Sequence, residues 1–230
     1  MRVLLTNSPF QYYMTTAFFH PDWAALNLPQ LAAMAAEGYS RFSEAGIGAV
    51  ISTNAPGALN LLNGIDGCWN DSIPCIFICG QITRARWNRT KTERPGGREI
   101  VDIVTIAGPI TKYARYVNDP NMIRYYLDEA VHIAREGRPG PVLLDIPLDV
   151  QKAQIEPLAL QSFKPLYNIA PLAKTEELTE KVRSAIHIIR DARRPVVLLG
   201  GGLRLSGSIT DARRLIEDLG VPAVAAWGGF

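Results

Sequence analysis

A chain of 230 residues has room for one large domain or two small ones with a buried core. Apolar residues make up 47% and charged residues 20%, the balance of a soluble globular protein, and a net charge of +2 leaves no electrostatic footprint for nucleic acid. No apolar run is long enough to span a bilayer and the start of the chain lacks the apolar centre of a signal peptide, so a cytoplasmic location is expected.

In chain order, residues 1–28 carry the aromatic runs Phe10-Gln-Tyr-Tyr13 and Phe18-Phe-His20, with a short strand conceivable at 1–5. An alanine-rich helix is predicted over 29–42, with Pro29 in the first turn, where a missing N–H does no harm. The β-branched run at 48–53 reads as a strand buried on both faces. It leaves through Thr53-Asn-Ala-Pro-Gly-Ala-Leu-Asn60 into a helix at 58–69. A turn at the carboxyl end of a parallel strand is where ligands bind in open α/β sheets, although Pro56-Gly57 on its own is ordinary turn punctuation.

A strand at 74–80 follows, then an arginine-rich loop at 83–97, a short helix at 99–107, an extended piece at 110–117, a helix opened by Asp119-Pro120 and a strand at 142–147. After a proline-rich stretch the pattern restarts with a helix at 175–192, a strand at 195–199, Gly200-Gly-Gly202, a helix at 208–219 and a strand at 221–227. The expected class is α/β, a parallel sheet covered by helices on both faces, followed by the incomplete start of a second Rossmann-like α/β domain. The boundaries read as an unmatched segment 1–28, a first domain 29–150, a linker 151–174 and a truncated second domain 175–230, so the chain reads as a fragment or a shortened relative of something longer.

Cys68, Cys75 and Cys79 have no histidine nearby to complete a metal set, and strand spacing holds Cys75 and Cys79 too far apart to bridge. They are expected to be reduced core residues. His20, His132 and His187 are scattered, with the last two on predicted helices, and suggest no catalytic base.

The order of the segments carries further than any one of them. TNAPGALNLLNGIDGCWNDSIPCIFICGQI, then EIVDIVTIAGPITKYARYV, then EAVHIAREGRPGPVLLDIPLDVQ resemble the N-terminal, pyrimidine-binding domain of thiamine diphosphate-dependent enzymes of the acetolactate synthase group. The resemblance covers about 30–157, and RPVVLLGGGLRLSG onward looks like the start of that group's central domain. It implies a transferase or lyase that binds thiamine diphosphate and magnesium and works as a dimer. Residue by residue, Pro56, Gly57 and Asn60 match the family loop that lies against the aminopyrimidine ring, while Ala55 and Leu59 replace a usual glycine and threonine. Asp71-Ser72-Ile-Pro74 and Gly80-Gln81 also match, more simply as parts that hold the domain and its dimer contact.

Two parts that the resemblance requires are missing. The family glutamate that bonds the pyrimidine ring falls at Pro29, and Glu37 lies about 12 Å further along the helix. The Gly-Asp-Gly that would mark the magnesium and diphosphate domain occurs nowhere, so no metal ligand is assigned. Arg98 stands where relatives often place a glutamine and could meet a carboxylate substrate, against the alternative of a solvated loop arginine. Gly200-Gly-Gly202 could approach a flavin diphosphate, but its spacing to Gly207 departs from the fingerprint, and a structural turn is preferred to FAD binding.

Two readings of function remain. One is a thiamine diphosphate-binding fragment of a carboligase or decarboxylase acting on pyruvate or a related 2-oxo acid, inactive alone and partnered by its own copies or by a chain carrying the diphosphate domain. The other is a non-catalytic, degraded relative that keeps the fold and dimer surface. Neither reading calls for nucleic acid or membrane as a partner.

Overall fold

The structure, a computed structural model, describes residues 3–5, 28–43, 46–89, 100–165 and 175–226. The chain divides into two compact units, Met1–Pro165 and Leu166–Phe230, with the division falling in the stretch read as a linker.

The first unit is built on a five-stranded sheet in the order β1-β2-β3-β5-β4, and every pair is parallel. Its strands are β1 (Val3–Leu5), β2 (Gly48–Ser52), β3 (Cys75–Gln81), β4 (Tyr113–Tyr116) and β5 (Val142–Pro147). The helices are α1 (Leu28–Phe42), α2 (Leu62–Asn70), α3 (Arg84–Arg89), α4 (Ile103–Ala107), α5 (Ile123–Arg135) and α6 (Leu148–Gln151). Side chains alternate across the sheet. Cys75, Phe77 and Cys79 of β3 join Val50 and Leu143 in a core under α1, α2 and α4. Ile76 of the same strand joins Ala49, Val142 and Leu144 in a second core, where α5 contributes Ala130 and Ala134.

α1 turns Ala32, Ala33 and Ala36 inward, and these small residues let it lie close to the sheet and to α2. A Cβ on Gly48 would sit 2.1 Å from the Ala36 carbonyl oxygen, and one on Gly64 would sit 2.4 Å from the Ala33 methyl group. Glycine at both positions is therefore a packing requirement. Cys68, Cys75 and Cys79 are buried and free, and all three belong to the core under α1, α2 and α4.

The sequence reading of 83–97 as loop is corrected over α3. There the Arg84 N–H and guanidinium both donate to Asp149, at 3.0 and 2.7 Å, and the Trp87 ring stacks on Tyr116 at 5.6 Å. Contacts distant in sequence fix this turn of helix. The piece read as extended from 110 is also shorter, because a 3-10 turn takes Gly108–Ile110 before β4 begins at Tyr113. Beyond α6, Phe163 folds back on α5, its ring 5.4 Å from Tyr125 and 5.5 Å from His132.

The second unit holds α7 (Glu176–Asp191), β6 (Val197–Leu199), α8 (Gly202–Leu205), α9 (Ile209–Leu219) and β7 (Ala223–Ala225). β6 and β7 pair in parallel. Thr175 caps α7 by accepting a hydrogen bond from the Leu178 N–H, and Gly220 ends α9 in the left-handed conformation. His132 and His187 lie on α5 and α7, each near a carboxylate one turn on, Glu136 at 3.5 Å and Asp191 at 3.3 Å. No helix among the described residues is long and apolar enough to cross a membrane.

Candidate functional site

β2 ends at Ser52, and the chain then reverses tightly at the carboxyl edge of the sheet. The Thr53 hydroxyl donates to the Asn54 side-chain oxygen at 2.9 Å, and the Ala55-Pro56 bond is cis. The Ala58 N–H reaches back to the Asn54 carbonyl at 3.3 Å, and the Asn60 N–H is shared between the carbonyls of Pro56 and Gly57 at 3.3 and 3.2 Å. The helix thus begins as a 3-10 turn, Leu59–Leu61, with no side-chain cap.

Within this turn the three matched residues differ in exposure. Pro56 is exposed, Asn60 is half-buried, and Gly57 is buried. A Cβ on Gly57 would meet the Thr53 methyl at 2.6 Å and the Ser52 hydroxyl at 2.8 Å, so the absence of a side chain is demanded inside the turn itself. Ala55, whose extra methyl departs from the family pattern, is 3% exposed and packed in the protein. Among the described residues no hydrogen bond engages the Asn60 side-chain amide. An exposed prolyl ring offers a flat apolar face, and an asparagine amide can both donate and accept, the two kinds of contact a heteroaromatic ring takes.

Pro29 lies half-buried in the first turn of α1. Glu37, on the same helix, accepts from the Arg41 Nε at 3.1 Å, and Arg41 also pairs with Asp71. That ion cluster ties α1 to the end of α2. Ser72, at φ 59°, accepts from the Arg138 guanidinium, and the Pro74 carbonyl accepts from the Ser40 hydroxyl at 2.6 Å, so the 71–74 match is a structural corner. Arg98 lies outside the described residues.

Gln81 is 5% exposed and turned into the domain. Its Nε2 donates to Asp145 Oδ2 at 3.0 Å and to the Val101 carbonyl at 3.1 Å, and its Oε1 accepts from the Ile82 N–H at 2.9 Å. Asp145 is 1% exposed. Burial pushes its carboxyl up to about 7; the bond from Gln81 works against that rise, and the neighbouring Asp102 adds to it. Sequence reasoning passed over Asp145. The signal was present: a lone acid in the otherwise apolar strand Val142–Pro147.

Beside this edge is a cavity of about 690 Å³, lined by Asn54, Gly80, Thr83 and Gln151 with the apolar chains of Ile78 and Leu127. Pro56, Gly57 and Asn60 do not line it. In the second unit, Gly200 and Gly201 form the turn after β6 and border a separate cavity with Ile209 and Ile216. Among the described residues no group of three or more His, Cys, Asp or Glu side chains is placed to hold a metal ion.

Residues 25–102 match the family described as thiamine pyrophosphate enzyme, N-terminal TPP binding domain. Glyoxylate carboligase of Escherichia coli O157:H7 is 33% identical over 196 residues, which are 85% of this chain and 31% of that protein. Acetolactate synthase of Arthrospira platensis is 31% identical over 207 residues, 87% of this chain and 33% of its own. A probable acetolactate synthase large subunit of Methanocaldococcus jannaschii is 35% identical over 198 residues, 84% of this chain and 32% of its own. The chain spans about a third of the length of the curated relatives it matches. A parallel α/β domain with this turn at its sheet edge, matched by that domain family and by these relatives, belongs to the thiamine diphosphate-dependent enzymes of the acetolactate synthase group.

Proposed function

We propose that the chain supplies the ring-binding part of a carboligase or decarboxylase acting on pyruvate or a related 2-oxo acid. The observation that carries this is the tight turn at the carboxyl edge of β2 that leaves Pro56 exposed and Asn60 half-buried, one turn apart and joined through their backbones. Thiamine diphosphate, when bound, supplies the nucleophilic carbon for chemistry at the 2-oxo group. The residues of this chain hold the ring: Pro56 offers a flat apolar face, the Asn60 amide pairs with ring nitrogen or amino groups, and Gly57 keeps the turn tight beneath them.

The diphosphate and magnesium are held by a second polypeptide segment, in another copy or another chain. The exposed apolar residues Leu31, Met34 and Leu59, on α1 and the adjoining 3-10 turn, belong to the face that such a partner covers. By itself the chain does not turn over 2-oxo acids. Pro29 leaves no carboxylate at the family's glutamate position, and a lost acid–base group costs about 10²- to 10⁴-fold. That same proline favours the second reading, a relative that retains the fold without the reaction.

Titration of the isotope-labelled chain with thiamine tests the ring site without any turnover. Expected are shifts of the amide signals of the 55–60 turn and at least fivefold weaker binding in Asn60→Ala. Shifts confined to other residues would remove the basis of the assignment. With thiamine diphosphate, magnesium and pyruvate, neither the unmodified chain nor Pro29→Glu should form carbon dioxide or acetolactate; turnover by the former would show that Pro29 is no lost catalytic position.

A further inference from the structure

The carboxyl ends of β2, β3, β5 and β4 place Ser52, Cys79, Asp145 and Tyr116 side by side in one register row. In a parallel sheet such neighbours share a face, here the one covered by α1, α2 and α4. Among the described residues the Ser52 hydroxyl, the Tyr116 hydroxyl and Asp145 Oδ1 are buried without a hydrogen-bond partner. Polar atoms buried without partners cost stability.

Asp145 is its pivot. Its bonded oxygen reaches Gln81, and the same Gln81 nitrogen holds the Val101 carbonyl, so one amide ties the segment entering α4 to the sheet. The next residue, Asp102, caps α4 by accepting from the Thr105 N–H at 3.0 Å and the Thr105 hydroxyl at 2.7 Å. The groups around Asp145 are therefore Cys79 and Gln81 from β3, Tyr116 from β4 and Asp102 from the entry to α4, with Arg84 and Asp149 acting on Tyr116 from beyond. No cation among them faces Asp145. Burial and the Asp145 charge push the Cys79 thiol up, and burial with the charges of Asp145 and Asp149 pushes Tyr116 up to about 12, so both stay neutral.

We propose that the Asp145–Gln81–Val101 tie is a proton-dependent latch: with a proton on Asp145 it fixes the entry to α4 against the sheet, and ionisation of Asp145 loosens it. Protonated, Asp145 still accepts from Gln81 and carries no charge against Asp102. Ionised, it is a buried anion with one donor and a second anion close by, a state relieved by parting Val101 from the sheet and admitting water.

The latch has a particular pH signature. Once opened, Asp145 regains an ordinary carboxylate affinity, near 4, while in the closed form it holds its proton to about 7. The opening equilibrium then rises about tenfold per pH unit between those limits and levels off above about 7.

Hydrogen–deuterium exchange of the full chain, followed in the peptide spanning Val101 to Ala107 and divided by the intrinsic exchange rate, reads this directly. Between pH 5 and 9 the wild type is expected to show that rise and plateau, and Asp145→Asn a flat profile. In Asp102→Asn, where asparagine still caps the helix, the plateau should begin at lower pH. A flat wild-type profile overturns the latch, as does the same rise in Asp145→Asn, and an unmoved plateau in Asp102→Asn overturns the place given to Asp102. Should Asp145→Asn fail to fold, carbon-13 titration of the Asp145 carboxyl in the wild type decides, a midpoint below pH 5 overturning the proposal.

Discussion

Asp145 shows how one side chain can set a pH dependence for a whole domain. Its carboxyl is held near 7 by burial, against an unfolded value near 4, so across that interval the folded state binds a proton that the unfolded state has released. Its contribution is present in full below about pH 4 and is lost as the pH rises to about 7. From this group alone, stability falls by about 3 kcal/mol between pH 5 and 8. Urea unfolding of the first unit should show Asp145→Asn gaining on the wild type by about that amount over the same interval. An equal change in both proteins would remove Asp145 as the source. At Gly57 the residue scale explains a motif: the glycine is forced by Ser52 and Thr53 within the turn, while Pro56 is exposed and Asn60 half-buried.

Between elements, the close seat of α1 is the feature most exposed to a single change. Ala33 and Ala36 lie against Gly64 and Gly48, and at these two points the missing glycine side chains let the helix approach α2 and β2. Gly48→Ala should cost at least about 3 kcal/mol, because the new methyl meets a backbone carbonyl that cannot rotate away. Gly64→Ala meets another methyl and should cost about 1–3 kcal/mol. Thermal unfolding of both variants checks the order, and a stable Gly48→Ala would mean that α1 can lift from the sheet. These helices were legible from periodicity and alanine content. α3 was not, because the contacts that fix it, Arg84 with Asp149 and Trp87 with Tyr116, join parts of the chain that sequence spacing does not relate.

On the scale of the whole molecule, both units expose large apolar side chains. In the first, Met34 is 48% exposed on α1; in the second, Leu198 of β6 and Ile188 of α7 are 69% and 67% exposed. The chain is accordingly expected to self-associate or to bind a hydrophobic dye at micromolar concentration. Sedimentation as a clean monomer at high concentration, with no dye signal, would count against the partner-covered face.

The sequence by itself determined the alternation of helices and parallel strands, the family, and the position of the Pro56-Gly57 turn at a strand's carboxyl end, because each is written in local periodicity, turn chemistry or segment order. Only the tertiary structure decided that Gln81 turns inward, that Ser52, Cys79, Asp145 and Tyr116 share one row, and that an acid in β5 ties down the entry to α4. The strand order inserts β5 between β3 and β4, so residues remote along the chain become lateral neighbours. Their hydrogen bonds and the affinity of Asp145 for its proton follow from that burial and adjacency, which no local pattern encodes.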